Sequence, residues 1–100
     1  MGQQKMALRK REIAKQVAEE SEVPFQTALK MLEVTLNAIR EELSQGGRVV
    51  FRNFGTFDVY GISARVGRNP KQPEAVVTIP PRKLVRFHPG KELKKDVNSQ

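Results

Sequence analysis

Residues 46–60 read Gly46-Gly47-Arg48-Val49-Val50-Phe51-Arg52-Asn53-Phe54-Gly55-Thr56-Phe57-Asp58-Val59-Tyr60, and across them the hydrophobic period of the chain changes. Before Gly46 apolar residues recur at helical spacing. After Gly47 the run 48–52 is β-branched and aromatic, Asn53-Phe54-Gly55 has turn chemistry, and residues 56–60 alternate with Phe57 and Val59 on one face. This predicts a β-hairpin entered from a helix that ends at the two glycines.

On the N-terminal side, Ile13, Ala14, Val17 and Ala18 lie on one face of a short amphipathic helix over about 9–20. Residues 21–24 break it, and a second helix is expected from near Pro24, a residue tolerated in the first turn, to Ser44. Its apolar residues, from Ala28 and Leu29 through Met31, Leu32, Val34, Leu36, Ala38 and Ile39 to Leu43, spread over roughly 220° of the circumference, against the narrower stripe of a helix on a single core. Such a helix buries two faces. The shortage of other helices favours a second copy of the chain as the cover for one of them, and the alternative is the domain's own sheet.

On the C-terminal side, residues 61–74 are rich in Gly, Arg, Asn and Pro, with Ile62, Ala64 and Val66 as spaced apolar positions. A β run at 75–79, a Pro80-Pro81 break, a strand ending in Leu84-Val85-Arg86-Phe87 and a short helix after Pro89-Gly90 follow. The segment 61–79 has little to bury, and its tip, residues 67–73, carries no large apolar side chain. A lone two-stranded ribbon is marginally stable in water, so the segment is expected to project as an arm that is mobile until it meets a ligand. The whole chain of 100 residues is then one domain, with a body of about 8–60 and 80–98 and an arm of about 61–79.

Charge is unevenly placed. The chain has 18 Lys and Arg against 11 Asp and Glu, a net charge of +7 and a pI near 10.2. Up to Gln45 basic and acidic residues balance, so the whole excess lies beyond it. Residues 61–86 hold Arg65, Arg68, Lys71, Arg82, Lys83 and Arg86 against Glu74 alone. A neutral scaffold with a basic element makes nucleic acid the leading partner, and a merely solubilising basic surface is the plainer alternative. The absence of cysteine excludes a disulfide framework and thiolate zinc sites. His88 is the lone histidine, so no metal site and no cofactor is expected. No run reaches the roughly 18 apolar residues of a membrane span. Residues 1–6 lead into charge instead of an apolar signal core, so a cytoplasmic location is expected.

Three ordered motifs, Asn53-Phe54-Gly55-Thr56-Phe57, Ala64-Arg65-Val66-Gly67-Arg68-Asn69-Pro70 and Phe87-His88-Pro89-Gly90-Lys91-Glu92-Leu93-Lys94, resemble the bacterial HU / integration host factor (IHF) family of DNA-bending proteins over about residues 8–98. The resemblance implies an α+β fold: two N-terminal helices, a three-stranded antiparallel sheet with a long β-ribbon arm, and a short C-terminal helix, assembled as an intertwined dimer. It implies an architectural protein of the nucleoid that binds double-stranded DNA, bends and compacts it through the minor groove, and catalyses nothing. The partner subunit would be the same chain or a paralogue.

Residue chemistry accords with that role. Arg65, Arg68 and Lys71 carry cations on long stems suited to a phosphate-lined groove whose acceptors distinguish sequences poorly. Pro70 offers a compact ring without an N–H, the properties of a wedge entering a base step, and Asn69 suits both base edges and the turn. Lys91 and Lys94 fall on one face of the last helix, where the family pattern implies phosphate contact. Arg82, Lys83 and Arg86 lie where the chain returns from the arm, and Lys10 matches an N-terminal basic position that touches DNA in relatives. Phe51, Phe54, Phe57 and Phe87 fit packing better than base stacking, because strand alternation gathers them. The chain departs from the family at Lys71-Gln72-Pro73-Glu74, which lacks the usual glycine, and at Pro24, which replaces a Ser or Thr cap.

HU-like binding with low sequence preference is the favoured expectation, and IHF-like site preference is the alternative. A basic adaptor for acidic proteins or anionic membrane is a competing class, although the polar tip offers no membrane anchor. An enzyme finds no paired carboxylates, nucleophile-base set or phosphate loop in this sequence.

Overall fold

Helix α1, Lys10–Ser21, starts where the Arg9 amide donates to the Glu12 carboxylate at 3.0 Å, satisfying one of the donors that a helix start leaves unpaired. It ends at Glu22, whose φ of 56° is left-handed, and the Val23 amide closes the end by donating to the Ala18 carbonyl at 3.1 Å. Helix α2, Phe25–Ser44, opens with the Ala28 amide on the Pro24 carbonyl at 3.0 Å. Pro24 therefore stands just before the first helical residue, where its lack of an N–H costs nothing. The Gly46-Gly47 stop is a tight turn in which Gly46 takes φ 81°, a value that a side chain would strain.

The computed structural model describes residues 6–69 and 71–99, with backbone alone at Arg65, Arg68, Asn69, Pro73 and Ala75. Five strands follow the helices: β1 Val49–Phe51, β2 Gly55–Ile62, β3 Arg65–Asn69, β4 Gln72–Ile79 and β5 Arg82–Pro89, before α3, Lys91–Asn98. β1, β2 and β5 form an antiparallel sheet in that order, and β3 and β4 form a separate two-stranded ribbon. The chain divides into two compact units, residues 1–40 and 41–100.

In the first unit, Ala14 and Ala28 are fully buried, and the Arg11 guanidinium lies 5.1 Å from the centre of the Phe25 ring. In the second, Asn53 turns the chain between β1 and β2 with φ 68°, a conformation that asparagine tolerates better than most residues. Gly55 follows because a Cβ there would sit 2.5 Å from the Phe87 ring. The β2–β5 ladder runs without a break from Gly55↔Pro89 to Ile62↔Arg82.

The strands are longer than the sequence alone indicates. Gly67, Arg68 and Asn69 belong to β3, Gln72 and Pro73 to β4, and the ribbon continues across an irregularity at Arg68/Asn69 to the pair Asn69↔Gln72. The expected seven-residue tip is thus largely strand, because ladder hydrogen bonding does not need apolar side chains. Two residues on each side, 63–64 and 80–81, separate the ribbon from the three-stranded sheet, and prolines at 80 and 81 supply no amide for a ladder there.

Among the described residues no side chain larger than alanine is fully buried. On α2, Met31, Val34 and Leu36 are all exposed, and so are Val66, Val76 and Val77 of the ribbon. A single chain therefore lacks the core that about 100 residues normally build.

Candidate nucleic-acid interface

Register sorts the side chains of the three-stranded sheet into two faces, since directly opposed residues share a side and successive residues alternate. Val49, Phe51, Phe57, Val59, Val85 and Phe87 fall on one face. Phe57 and Phe87 are opposed with ring centroids 4.7 Å apart, Phe51 meets Phe57 edge-on at 6.5 Å, and Phe54 reaches Phe87 at 5.7 Å. These rings pack on one another, which agrees with the packing role read from alternation.

The opposite face is polar. Thr56, Asp58, Tyr60 and Ile62 of β2 face His88, Arg86, Leu84 and Arg82 of β5. Arg86 donates to Asp58 through Nε at 3.1 Å and Nη2 at 3.4 Å, and its guanidinium lies 4.3 Å from the centre of the Tyr60 ring. His88 Nε2 stands 3.2 Å from the second Asp58 oxygen. The hydrogen bond from Arg86 is the main reason that the Asp58 carboxyl titrates below its ordinary 3.8, and it outweighs the opposing desolvation.

Arg82, Lys83 and Arg86, grouped in the sequence, do not form one patch. Pleating puts Arg82 and Arg86 on the polar face and Lys83, opposite Gly61, on the other. Arg82 and Lys83 border a groove of 510 Å³ at the root of the ribbon, with Gly61, Ile62, Ser63 and Pro81 as its other walls. Lys91 opens α3, where the Gly90 amide donates to the Phe54 carbonyl at 2.8 Å and pins the helix start to the β1–β2 turn. Lys94, three residues on, shares its side of the helix. In the first unit Lys10 is paired with Glu33 at 3.2 Å.

Arg65, Arg68 and Asn69 are carried on β3, and Lys71 stands at the turn into β4. Pro70 lies outside the described residues. Sequence reading missed that Lys10 and Arg86 have acidic partners, and it left Tyr60 unassigned. A strand ending at Phe87 was visible in the sequence, but the pairing of Asp58 with Arg86 depends on a register between residues 28 apart. Among the described residues no cluster of His, Cys, Asp or Glu could hold a metal ion, and no helix is long and apolar enough to cross a membrane.

Known proteins share this architecture. The chain is 41% identical over 92 residues to an integration host factor subunit alpha from Colwellia psychrerythraea, covering 92% of this chain and 94% of that protein. It is 38% identical over 91 residues to DNA-binding protein HU-1 of Halalkalibacterium halodurans, covering 91% of this chain and all of that one. An Anabaena HU, solved as a cocrystal with DNA, superposes with a TM-score of 0.79 at 34% identity over 92% of this chain and 99% of the other. Residues 8–98 match the family model described as bacterial DNA-binding protein, and the chain belongs to that family.

Proposed function

We propose that this protein is a homodimeric architectural factor of the bacterial nucleoid that grips double-stranded DNA in the minor groove with its ribbon and bends it, without catalysis. The observation that carries the reading is the β3–β4 ribbon, a cation-bearing extension whose valines stay exposed and in which no described residue is buried. The chain then works as a single domain: the arm, about residues 61–79, is the DNA-gripping part, and the rest, about 8–60 and 80–98, is the dimerising body.

Within this reading Arg65, Arg68 and Lys71 follow the groove phosphates, Asn69 meets base edges, and Pro70 enters a base step. Unstacking a step costs a few kcal/mol, offset by the larger DNA surface that a bent duplex lays against the body. Arg82 and Arg86 hold phosphates from the polar face of the sheet, Lys83 holds one from the other side of the arm root, and Lys91, Lys94 and Lys10 hold them along the body. Cations aimed at phosphates discriminate sequences weakly, so binding is HU-like.

Dimerisation is supported by the uncovered apolar surface. Met31, Val34 and Leu36 of α2, together with the half-exposed phenylalanine face, need a cover that a second copy, or a paralogue, supplies. A gel-shift series at fixed salt with random, nicked and A-tract duplexes tests the reading. Comparable binding to all sequences is expected. Strong preference for one sequence replaces HU-like by IHF-like binding. Retention on anionic vesicles in place of duplex favours the adaptor class.

A further inference from the structure

Asp58 is the one acidic residue of β2, and it stands on the polar sheet face directly opposite Arg86, a cation that the proposed function uses. Its placement is asymmetric. The carboxylate is sheltered, with its side chain 19% exposed, whereas the Arg86 side chain it holds is 46% exposed. Asp58 occupies two donors of one guanidinium edge, out of the five N–H groups that a guanidinium carries. Tyr60 supports the plane of the same group from the side. An arginine on a strand surface ordinarily samples many rotamers and loses that freedom when it binds a phosphate. Here two hydrogen bonds to Asp58 constrain the azimuth of the guanidinium and the Tyr60 ring constrains its plane, with no ligand needed.

From this geometry we infer that Asp58 is a positioning residue: it braces Arg86 against Tyr60 so that the guanidinium is presented ready-oriented to a backbone phosphate of DNA lying on the polar face of the sheet. The inference rests on the DNA-binding reading above. It runs against simple charge counting, in which an aspartate near DNA only repels it. Charge counting expects removal of the carboxylate to tighten binding. The brace expects removal to weaken binding, and only while Arg86 is present. His88 shares the carboxylate and is held by the same device.

The test is equilibrium binding to one 40-base-pair duplex at fixed salt and pH, by fluorescence anisotropy, for the wild-type protein, Asp58→Asn, Arg86→Gln, the double variant and Asp58→Glu, with thermal midpoints recorded for each. Asp58→Asn is expected to weaken binding about threefold although it raises the net charge by one, and Asp58→Glu to recover most of the loss. In the Arg86→Gln background the same Asn substitution is expected to leave affinity unchanged or improve it. Tyr60→Leu, which changes no charge, is expected to follow the same pattern and serves if Asp58→Asn does not fold. Tighter or equal binding by Asp58→Asn overturns the brace, as does an equal loss in both backgrounds, which marks a purely structural role. Wild-type protein that fails to bind the duplex overturns the DNA reading itself, an outcome distinct from all of these.

Discussion

Phe57 and Phe87 are directly opposed across β2 and β5, with ring centroids 4.7 Å apart and planes inclined at 42°. Gly55 lies two residues before Phe57, and its missing side chain leaves room for the Phe87 ring. Phe87→Ala is therefore expected to destabilise the folded protein by about 3 kcal/mol, and Gly55→Ala by about 1–3 kcal/mol through overpacking. Urea unfolding at matched protein concentration measures both. A Gly55→Ala protein as stable as wild type would show that the ring can move aside without loss.

The uncovered faces predict linked folding and association. The thermal midpoint should rise with protein concentration, and Val34→Asp, which puts a charge on the exposed side of α2, should lower both the midpoint and the sedimentation coefficient. A monomer by analytical ultracentrifugation, with a concentration-independent midpoint, contradicts the dimer.

Acid sensitivity follows from Asp58. Its carboxyl is depressed below 3.8 in the folded chain by the Arg86 hydrogen bond, so the unfolded chain binds the proton first as pH falls. The stability this provides is complete above the unfolded value and disappears as pH drops from about 5 through the lower folded value. Thermal melts between pH 6 and 2 should show a shallower acid decline for Asp58→Asn than for wild type. Parallel declines would remove Asp58 from the account of acid unfolding.

If each dimer neutralises about 6–8 phosphates, log K should fall against log salt with a slope near −5 to −7. Replacing residues 63–81 with a short turn leaves the Ile62↔Arg82 end of the sheet ladder in place. That protein should fold but show a shallower slope, because Arg65, Arg68 and Lys71 leave with the ribbon. An unchanged slope would show that the ribbon is not what grips the duplex.

Pro70→Ala should diminish DNA bending, read as ring closure of short duplexes, more than it diminishes affinity, because removing a wedge leaves the phosphate contacts intact. Equal bending by the variant rules the wedge out.

Element order was readable from local patterns. The apolar spacing of Ile13, Ala14, Val17 and Ala18 marked α1, and the period change at Gly46-Gly47 marked the passage from α2 into the sheet. The ribbon between Ile62 and Arg82 was readable as well, but its strands reach nearer the tip than Gly67 and Pro73 suggest by composition. Backbone pairing extended them, and side-chain patterning reports on burial alone.

The linear sequence by itself determined the surplus of cations beyond Gln45, the alternation that puts Phe57 and Val59 on one side, and the glycines and asparagine at the turns. These depend on residue type and near neighbours, whose effects act within a few positions. Only the tertiary structure decided that Glu33 holds Lys10 and that Asp58 holds both Arg86 and His88. Those relationships follow from strand register and helix placement, which bring together residues more than twenty positions apart, and a shift of one residue in the β2–β5 pairing would reverse every face assignment.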